Sequence, residues 1–398
     1  MTPTCGDGDS SHPLKLFDVA RKQDKFLSAC APMLAFRQTV HYYGTDLCWT
    51  PMILAKEFNR SSFARDGDLT ISTSGPQPPT ILQFGANSPL ELSRASSLAA
   101  PFVNGVDLNC GCPQSWACAE TLGAALMNKR ELVRDMVVET RSTLRREGWA
   151  VGMDKDMDSP KGRSVSVKIR VHDDLRYDMR YPPPKRKTMD FMDTVIGHPQ
   201  NRQVDWITIH PRTRNTPSTT PIRSEALEIL SSKYAPILPV LLSGDVFDIN
   251  SLPFKPSPNL PTDLSTLTLN DILPRDTAAA PDTREDVPRP SNTHLSGFMS
   301  ARGLLSNPAL FAGHATCPWE AVERFMCNVA HAPIPFKLTL HHVHEMCSPG
   351  MGADKTALLT RKERAELNGL GSMVELVDFL DDKIEEHTGQ VGGLRRDL

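Results

Sequence analysis

The sequence predicts an α/β fold, a (β/α)8 or TIM barrel followed by a small C-terminal helical domain. Eight short apolar runs alternate with helix-like stretches, and the chain after residue 314 carries only helical patterns. Strand–helix alternation is typical of a parallel sheet, and eight repeats favour closure into a barrel. The predicted strands are 26–33, 47–54, 80–84, 103–108, 164–169, 206–209, 238–242 and 295–299.

Helical patterns lie between most of these strands, at 89–100, 118–127, 131–146 and 224–231. We expect residues 1–24 to be an irregular lead-in, 25–314 to form the barrel and 315–398 to form the helical domain. Polar stretches interrupt the pattern at 66–79, 150–163 and 246–294. The last is rich in Pro, Thr, Ser and Asp, which predicts a disordered insertion. The alternative is that it replaces a barrel helix.

Composition narrows the possible functions. The 398 residues carry a net charge of −3, so nucleic acid would have to bind through a local basic patch. Nine scattered cysteines favour a reducing compartment with free thiols. The N-terminus lacks a secretory pattern, and no run is long and apolar enough for a membrane helix. We therefore expect a cytoplasmic monomer away from membranes, with the nucleus left open as a second compartment.

The most informative motif is Asn-Cys-Gly-Cys-Pro at residues 109–113, directly after the fourth predicted strand. It places Cys112 in a tight turn at a strand's carboxyl end, where barrels of this kind carry their reactive groups. A cysteine there can act as an acid or a nucleophile, because its ordinary pKa is close enough to neutral for modest tuning. A zinc site made by Cys110, Cys112 and Cys118 is a minor alternative, because the spacing lacks a second ligand pair.

Polar or soft residues also end the other predicted strands. A lysine inside an apolar strand, such as Lys168, needs an anionic partner. The loops after the seventh and eighth strands, Ser243-Gly244-Asp245 and Ala301-Arg302-Gly303, fit a phosphate, since barrels often hold phosphate there. Core packing does not explain the gathering of such residues at one rim, which comprises Met33, Gln83, Asn109, Lys168, His210 and Ser243.

These motifs together resemble the tRNA-dihydrouridine synthase family over about residues 26–314. The set in order is Ala31-Pro32-Met33, Gln83-Phe84-Gly85, Asn109-x-Gly111-Cys112-Pro113, Lys168-Ile169-Arg170, His210-x-Arg212-Thr213, Gly244-Asp245 and Ala301-Arg302-Gly303-x-x-x-Asn307-Pro308. The sequence around Cys112 is most similar to that of the eukaryotic group that acts at tRNA positions 20a and 20b. The seventh strand ends in Ser243, where the family usually has Asn.

The resemblance implies an FMN barrel that uses NADPH to reduce uridines of the tRNA D-loop to dihydrouridine. Cys112 would be the catalytic proton donor to C5 of the base. The FMN-binding residues carried over by matching position are Pro32, Met33, Gln83, Asn109, Lys168, His210, Ser243, Gly244, Asp245, Ala301, Arg302 and Gly303. The residues expected to contact tRNA are Arg60, Arg170, Arg212 and Arg214.

Two other functions remain open on sequence grounds. The phosphate site also suits a flavin barrel that acts on a free small molecule. The long insertion and Ser243 also suit a tRNA-binding protein without catalysis.

Overall fold

Eight parallel strands close into a barrel, which confirms the predicted fold class. A computed structural model describes residues 12–23, 25–30, 34–69, 77–151, 157–172, 187–247, 294–389 and 394. The strands are β1 Leu27–Cys30, β2 Leu47–Trp49, β3 Ile53–Leu54, β4 Thr80–Gly85, β5 Gly105–Cys110, β6 Ser164–Arg170, β7 Ile207–His210, β8 Val240–Ser243 and β9 Gly297–Ser300. Pairing of β2 with β4 closes the sheet, and β3 is a short extra strand on β4.

The α-helices lie before, between and after the strands. They are α1 Pro13–Lys22, α2 Leu34–Tyr42, α3 Ala55–Arg60, α4 Ser62–Asp68, α5 Pro89–Ala99, α6 Ser115–Ala119, α7 Arg130–Arg146, α8 Lys187–Ile196, α9 Ser224–Tyr234, α10 Arg302–Ser306, α11 Trp319–His331, α12 Phe336–Met346, α13 Arg361–Leu367 and α14 Met373–Thr388. No helix in these described parts of the chain is long and apolar enough to cross a membrane.

Strand register gathers polar residues inside the barrel. Asn109 lies opposite Lys168 on the neighbouring strand, and Asp107 lies between Gln83 and Ser166. Because side chains alternate along a strand, residues two apart face the same side. The polar layer of Gln83, Asp107, Asn109, Ser166 and Lys168 therefore lies near the carboxyl end of the barrel.

The predicted second strand is wrong as a single element. The structure has β2 and β3, separated by Thr50-Pro51-Met52. Proline has no N–H for a sheet ladder, so the pairing with β4 is interrupted there. The oxygen Oγ1 of Thr50 instead accepts a hydrogen bond from the backbone N–H of Gln83, at 3.0 Å.

The lead-in at residues 1–24 contains α1, where the sequence suggested irregular chain. His12 caps the helix through a hydrogen bond from the N–H of Leu14 to its Nδ1, at 3.1 Å, and Pro13 takes the first helical position. Leu14 and Phe17 are buried, and the ring of Phe17 lies 5.3 Å from that of Trp206. Helix α1 therefore closes the amino-terminal end of the barrel.

The helices α11 to α14 pack beside the barrel and share its core. Phe36 of α2 lies edge-on to Phe325 of α11, with 6.1 Å between ring centroids. Asn328 donates a hydrogen bond to Thr39 Oγ1 at 2.9 Å. Thr360 and Glu363 form a capping box at the start of α13. The boundary at residue 314 stays a prediction.

Most of the predicted insertion at 246–294 lies outside the described residues, as do parts of 66–79 and 150–163. Its ends are described: the chain leaves the carboxyl end of the barrel at Phe247 and re-enters at the amino-terminal end at His294.

Candidate active site

A cavity of about 240 Å³ opens at the carboxyl ends of the strands, as the motif analysis predicts. It draws residues from β4, β6 and β7 and from the loops after β8 and β9. Nine residues singled out in the sequence line it: Gln83, Lys168, His210, Arg212, Ser243, Gly244, Asp245, Ala301 and Arg302. Asn109, on β5, lies opposite Lys168 in the strand register, and Cys112 lies in the turn that follows β5.

The turn after β5 is built around the side chain of Asn109. Its Oδ1 accepts hydrogen bonds from the backbone N–H groups of Gly111 and Cys112, at 2.9 and 2.8 Å. This is the local turn that Asn side chains favour. Arg170 holds the same turn from β6, donating from Nε to the carbonyl of Gly111 at 2.8 Å and from Nη1 to the carbonyl of Thr213 at 2.7 Å. The half-buried Cys112 is therefore fixed by its backbone.

The chain after Cys112 wraps back over it, which makes the predicted helix at 118–127 wrong. Helix α6 ends at Ala119, and the backbone reverses through left-handed φ values of +57° at Thr121 and +58° at Gly123. The N–H of Ala124 then donates to the carbonyl of Cys112 at 2.8 Å. A Cβ at position 123 would lie 2.6 Å from that carbonyl oxygen, so only glycine fits.

Beneath this turn lies a buried carboxylate that the sequence analysis missed. Asp107 is fully buried and accepts hydrogen bonds from Gln83 Nε2 at 2.7 Å and from Ser166 Oγ at 2.6 Å. Burial raises the pKa of Asp107 to about 6, although both hydrogen bonds and the charge of Lys168 favour its ionised form. Its signal was a lone acidic residue within the apolar run 103–108.

Lys168 brings a cation to the cavity. The pKa of Lys168 is lowered to about 8, mainly because the ammonium group is buried. The charge of Asp107 raises this pKa, and the charge of Arg170 lowers it. No described residue accepts a hydrogen bond from its Nζ. The ammonium group is therefore available to an anionic or carbonyl oxygen in the cavity.

Arg212 is buried, with 2% of its surface exposed, and organises the loops after β7 and β8. It donates to the carbonyl of Thr220 at 2.7 Å, to His210 Nε2 at 3.0 Å and to the carboxylate of Asp245. Burial, followed by the cations around it, lowers the pKa of His210 to about 2, so this histidine is neutral. Since Nε2 accepts from Arg212, Nδ1 carries the proton.

The loops after β8 and β9 are held tightly against each other. Gly244 has φ +113°, and a Cβ there would lie 3.0 Å from the ring of His210. Ser300 Oγ donates to the carbonyl of Val246 at 2.7 Å, and a Cβ at Gly303 would lie 2.5 Å from the same oxygen. The glycines predicted at the phosphate end are thus needed for close backbone approach.

The structure separates the residues predicted to contact tRNA into two pairs. Arg60 and Arg214 are exposed. Arg170 and Arg212 use their donors on rim carbonyls, His210 and Asp245 instead, so in this arrangement they support the site from within. Arg212 is buried and Arg170 is half-buried, and contact of either with tRNA stays a prediction.

The remaining sequence predictions concern Pro32, Met33 and the zinc alternative. Pro32 and Met33 lie outside the described residues. Cys110, Cys112 and Cys118 do not converge, since Cys110 is buried within β5, and no group of three metal-ligating side chains occurs among the residues that the structure describes. The zinc alternative has no support there.

Comparison with known proteins identifies the family. The family model described as dihydrouridine synthase (Dus) matches residues 30–254, more than half of the chain. The chain belongs to the dihydrouridine synthase family. It is 31% identical over 375 residues to the human protein named tRNA-dihydrouridine(20a/20b) synthase [NAD(P)+]-like, covering 93% of each chain.

Two yeast relatives carry the corresponding name, tRNA-dihydrouridine(20a/20b) synthase [NAD(P)+]. The chain is 32% identical to the Schizosaccharomyces pombe protein, covering 93% of this chain and 91% of that one. It is 31% identical to the Saccharomyces cerevisiae protein, covering 95% and 85%. The names of all three relatives specify NAD(P)+.

Proposed function

We propose that this protein reduces the C5=C6 bond of uridines in the D-loop of tRNA, with Cys112 donating the proton to C5. The observation that carries the proposal is the fixed turn after β5, where Asn109 and Arg170 hold the backbone around Cys112. Strand β5 pairs with β6, whose Lys168 lines the cavity together with Arg212 and Arg302. Family membership and relatives named for positions 20a and 20b support tRNA as substrate.

The cavity residues fit FMN, with NADPH as the reductant. Lys168 offers an ammonium group that has no hydrogen-bond acceptor among the described residues, and Arg302 and the neutral His210 line the same cavity. Gly244 and Ala301 place backbone beside Arg302, where the first turn of α10 leaves N–H groups without helical acceptors. When bound, FMN would supply the hydride chemistry at the uracil ring.

The protein's own contribution is to position and protonate the base. A thiol that donates a proton at C5 acts as a general acid, and such a step contributes about 10²- to 10⁴-fold in rate. The uridine must leave its stack to reach the cavity, because the site lies inside the barrel mouth. Arg60 and Arg214 are exposed and suited to backbone phosphates. A preference for positions 20a and 20b is part of the proposal.

The test is to follow NADPH oxidation by the purified, yellow protein with tRNA lacking dihydrouridine, with fully modified tRNA and with free uracil. We expect oxidation with the unmodified tRNA alone. Equal oxidation with free uracil would favour a small-molecule reductase. A protein that binds tRNA, shows no flavin absorbance and takes up no added FMN would contradict the proposal and favour a non-catalytic binding protein.

A further inference from the structure

A chain of hydrogen bonds runs from a buried carboxylate to the backbone of the reactive turn. Gln83 Nε2 donates to Asp107 Oδ2 at 2.7 Å, and Asn109 Nδ2 donates to Gln83 Oε1 at 2.7 Å. Asn109 Oδ1 then accepts from the N–H groups of Gly111 and Cys112. We call Asp107, Gln83 and Asn109 the amide relay. All three side chains are buried, so water does not compete for these bonds.

The shapes of the Gln83 and Asn109 side chains do not fix which end of each amide donates and which accepts. The oxygen and nitrogen ends of a primary amide are nearly equal in size, and each can rotate by half a turn within the same space. If Gln83 rotated, its NH2 group would face the NH2 group of Asn109. Asn109 would then have to rotate too, and its NH2 group would face the N–H groups of Gly111 and Cys112. Both backbone donors would lose their acceptor.

We propose that Asp107 is a positioning residue for Cys112, because it sets the direction of the amide relay. An ionised carboxylate can only accept, so it fixes the NH2 group of Gln83 toward itself and the oxygen of Asn109 toward the turn. This inference rests on the proposed function of Cys112. It assigns a task to a fully buried charge that does not itself line the cavity and reaches it only through Gln83.

The surroundings of Asp107 keep its acceptor role at neutral pH. Ser166 Oγ donates to its second oxygen at 2.6 Å, and Lys168 contributes a favourable charge from β6. Because burial raises its pKa only to about 6, the carboxylate is mostly ionised at pH 7 and above. An unpaired carboxylate at this depth would be strongly disfavoured, so the Gln83 and Ser166 bonds also stabilise the charge.

Three substitutions test the relay. Asp107→Leu keeps the volume but removes the acceptor, and we expect kcat for tRNA reduction to fall by about 10²-fold with KM for tRNA within about twofold. Asp107→Asn can still present oxygen to Gln83 and NH2 to Ser166, so kcat should stay within about threefold of wild type. Ser166→Ala is the matched control: it removes a bond of equal burial to Asp107 outside the relay, and at pH 8, where the carboxylate is ionised without that bond, kcat should not change.

The second readout does not need tRNA. Alkylation of Cys112 by iodoacetamide, followed by mass spectrometry with the half-buried Cys327 as internal reference, reports the placement of the thiol. We expect the relative rate to be unchanged in Ser166→Ala and altered by about fivefold or more in Asp107→Leu. If wild type reduces no tRNA uridine, the proposed function fails while alkylation still decides the relay.

Thermal unfolding shows which variants are folded. If Asp107→Leu does not fold, Gln83→Met interrupts the relay one bond further along and should alter the alkylation rate of Cys112 by about fivefold or more in the flavin-free protein. The kcat of this variant does not decide, because Gln83 also lines the cavity. Equal behaviour of Asp107→Leu and Ser166→Ala in both readouts would overturn the inference. So would an Asp107→Asn variant as impaired as Asp107→Leu, since a conservative amide should restore the direction of the relay.

Discussion

The two ends of the barrel use opposite kinds of side chain. At the amino-terminal end, Phe17 of α1 packs on Trp206, whose ring lies 6.1 Å from Trp49. At the carboxyl end, the buried groups are Asp107, Lys168 and their polar neighbours. The amino-terminal end nevertheless holds the larger cavity, about 570 Å³ against about 240 Å³. Cavity size therefore does not locate the chemistry in this barrel, whereas converging buried polar groups do.

Backbone strain follows the same division. Among the described residues, the non-glycine positions with left-handed φ are Thr121 and Asp245, and both lie in rim loops. Such conformations cost about 1–3 kcal/mol each and persist where surrounding contacts enforce them. At the rim these contacts hold in place the turn around Cys112 and the loop after β8. The comparison predicts that substitutions at the amino-terminal end change stability alone, while rim substitutions change stability and activity together.

The largest stability effect should come from Phe17→Ala at the amino-terminal end. Removing this buried ring should lower the free energy of unfolding by about 3 kcal/mol, measured by urea denaturation, with kcat unchanged. Val19→Ala on the exposed face of the same helix is the control and should shift stability by no more than about 0.5 kcal/mol. A large loss of kcat in folded Phe17→Ala would break the division between the two ends.

Two glycines with positive φ sharpen the comparison. Gly244 at the rim has φ +113°, with His210 3.0 Å from a Cβ, whereas Gly148 at the amino-terminal end has φ +84° and no atom within 4 Å. Gly148→Ala should cost about 1 kcal/mol from backbone conformation alone. Gly244→Ala should cost about 2–3 kcal/mol, because steric conflict adds to the strain, and it should weaken cofactor binding. Equal costs in urea denaturation would contradict the crowding at the rim.

Lys168 should make the stability of the protein depend on pH. Its pKa is lowered to about 8 in the folded protein from 10.5, so between these pH values the unfolded chain binds more protons. Stability of wild type relative to Lys168→Met should therefore rise with pH across that window, by about 2 kcal/mol for a partly exposed group. Unfolding midpoints of both proteins at pH 7.5, 9 and 10.5 measure this difference. A flat difference would mean that Lys168 is not desolvated.

The smallest effect concerns exposed arginines at the two ends. Arg214→Ala at the rim should raise KM for tRNA about threefold, leave kcat unchanged and reduce the salt dependence of binding by about one phosphate contact. Arg146→Ala, at the end of α7 on the opposite side, should change neither quantity. Equal effects of the two variants would show that RNA contact is not confined to the carboxyl end.

The amino-acid pattern predicted the barrel because eight short apolar runs alternate with helical patterns, and the motif at 109–113 located the reactive turn. The amino-acid pattern did not predict which side chains use their hydrogen-bond donors within the protein. Arg170 and Arg212 look like free cations in the sequence, yet three-dimensional pairing uses both internally. The reversal at Thr121 was equally hidden, because a tertiary hydrogen bond to Cys112 overrides a helical pattern.

The most direct test of the account is the rate of dihydrouridine formation by the purified protein with and without the thiol of Cys112. Unmodified tRNA, NADPH and FMN would be incubated with wild type, Cys112→Ala and the control Cys327→Ala, and products mapped by mass spectrometry. The account predicts at least about a 10²-fold slower rate for Cys112→Ala, with flavin retained and Cys327→Ala unchanged. A Cys112→Ala protein as fast as the control would contradict it.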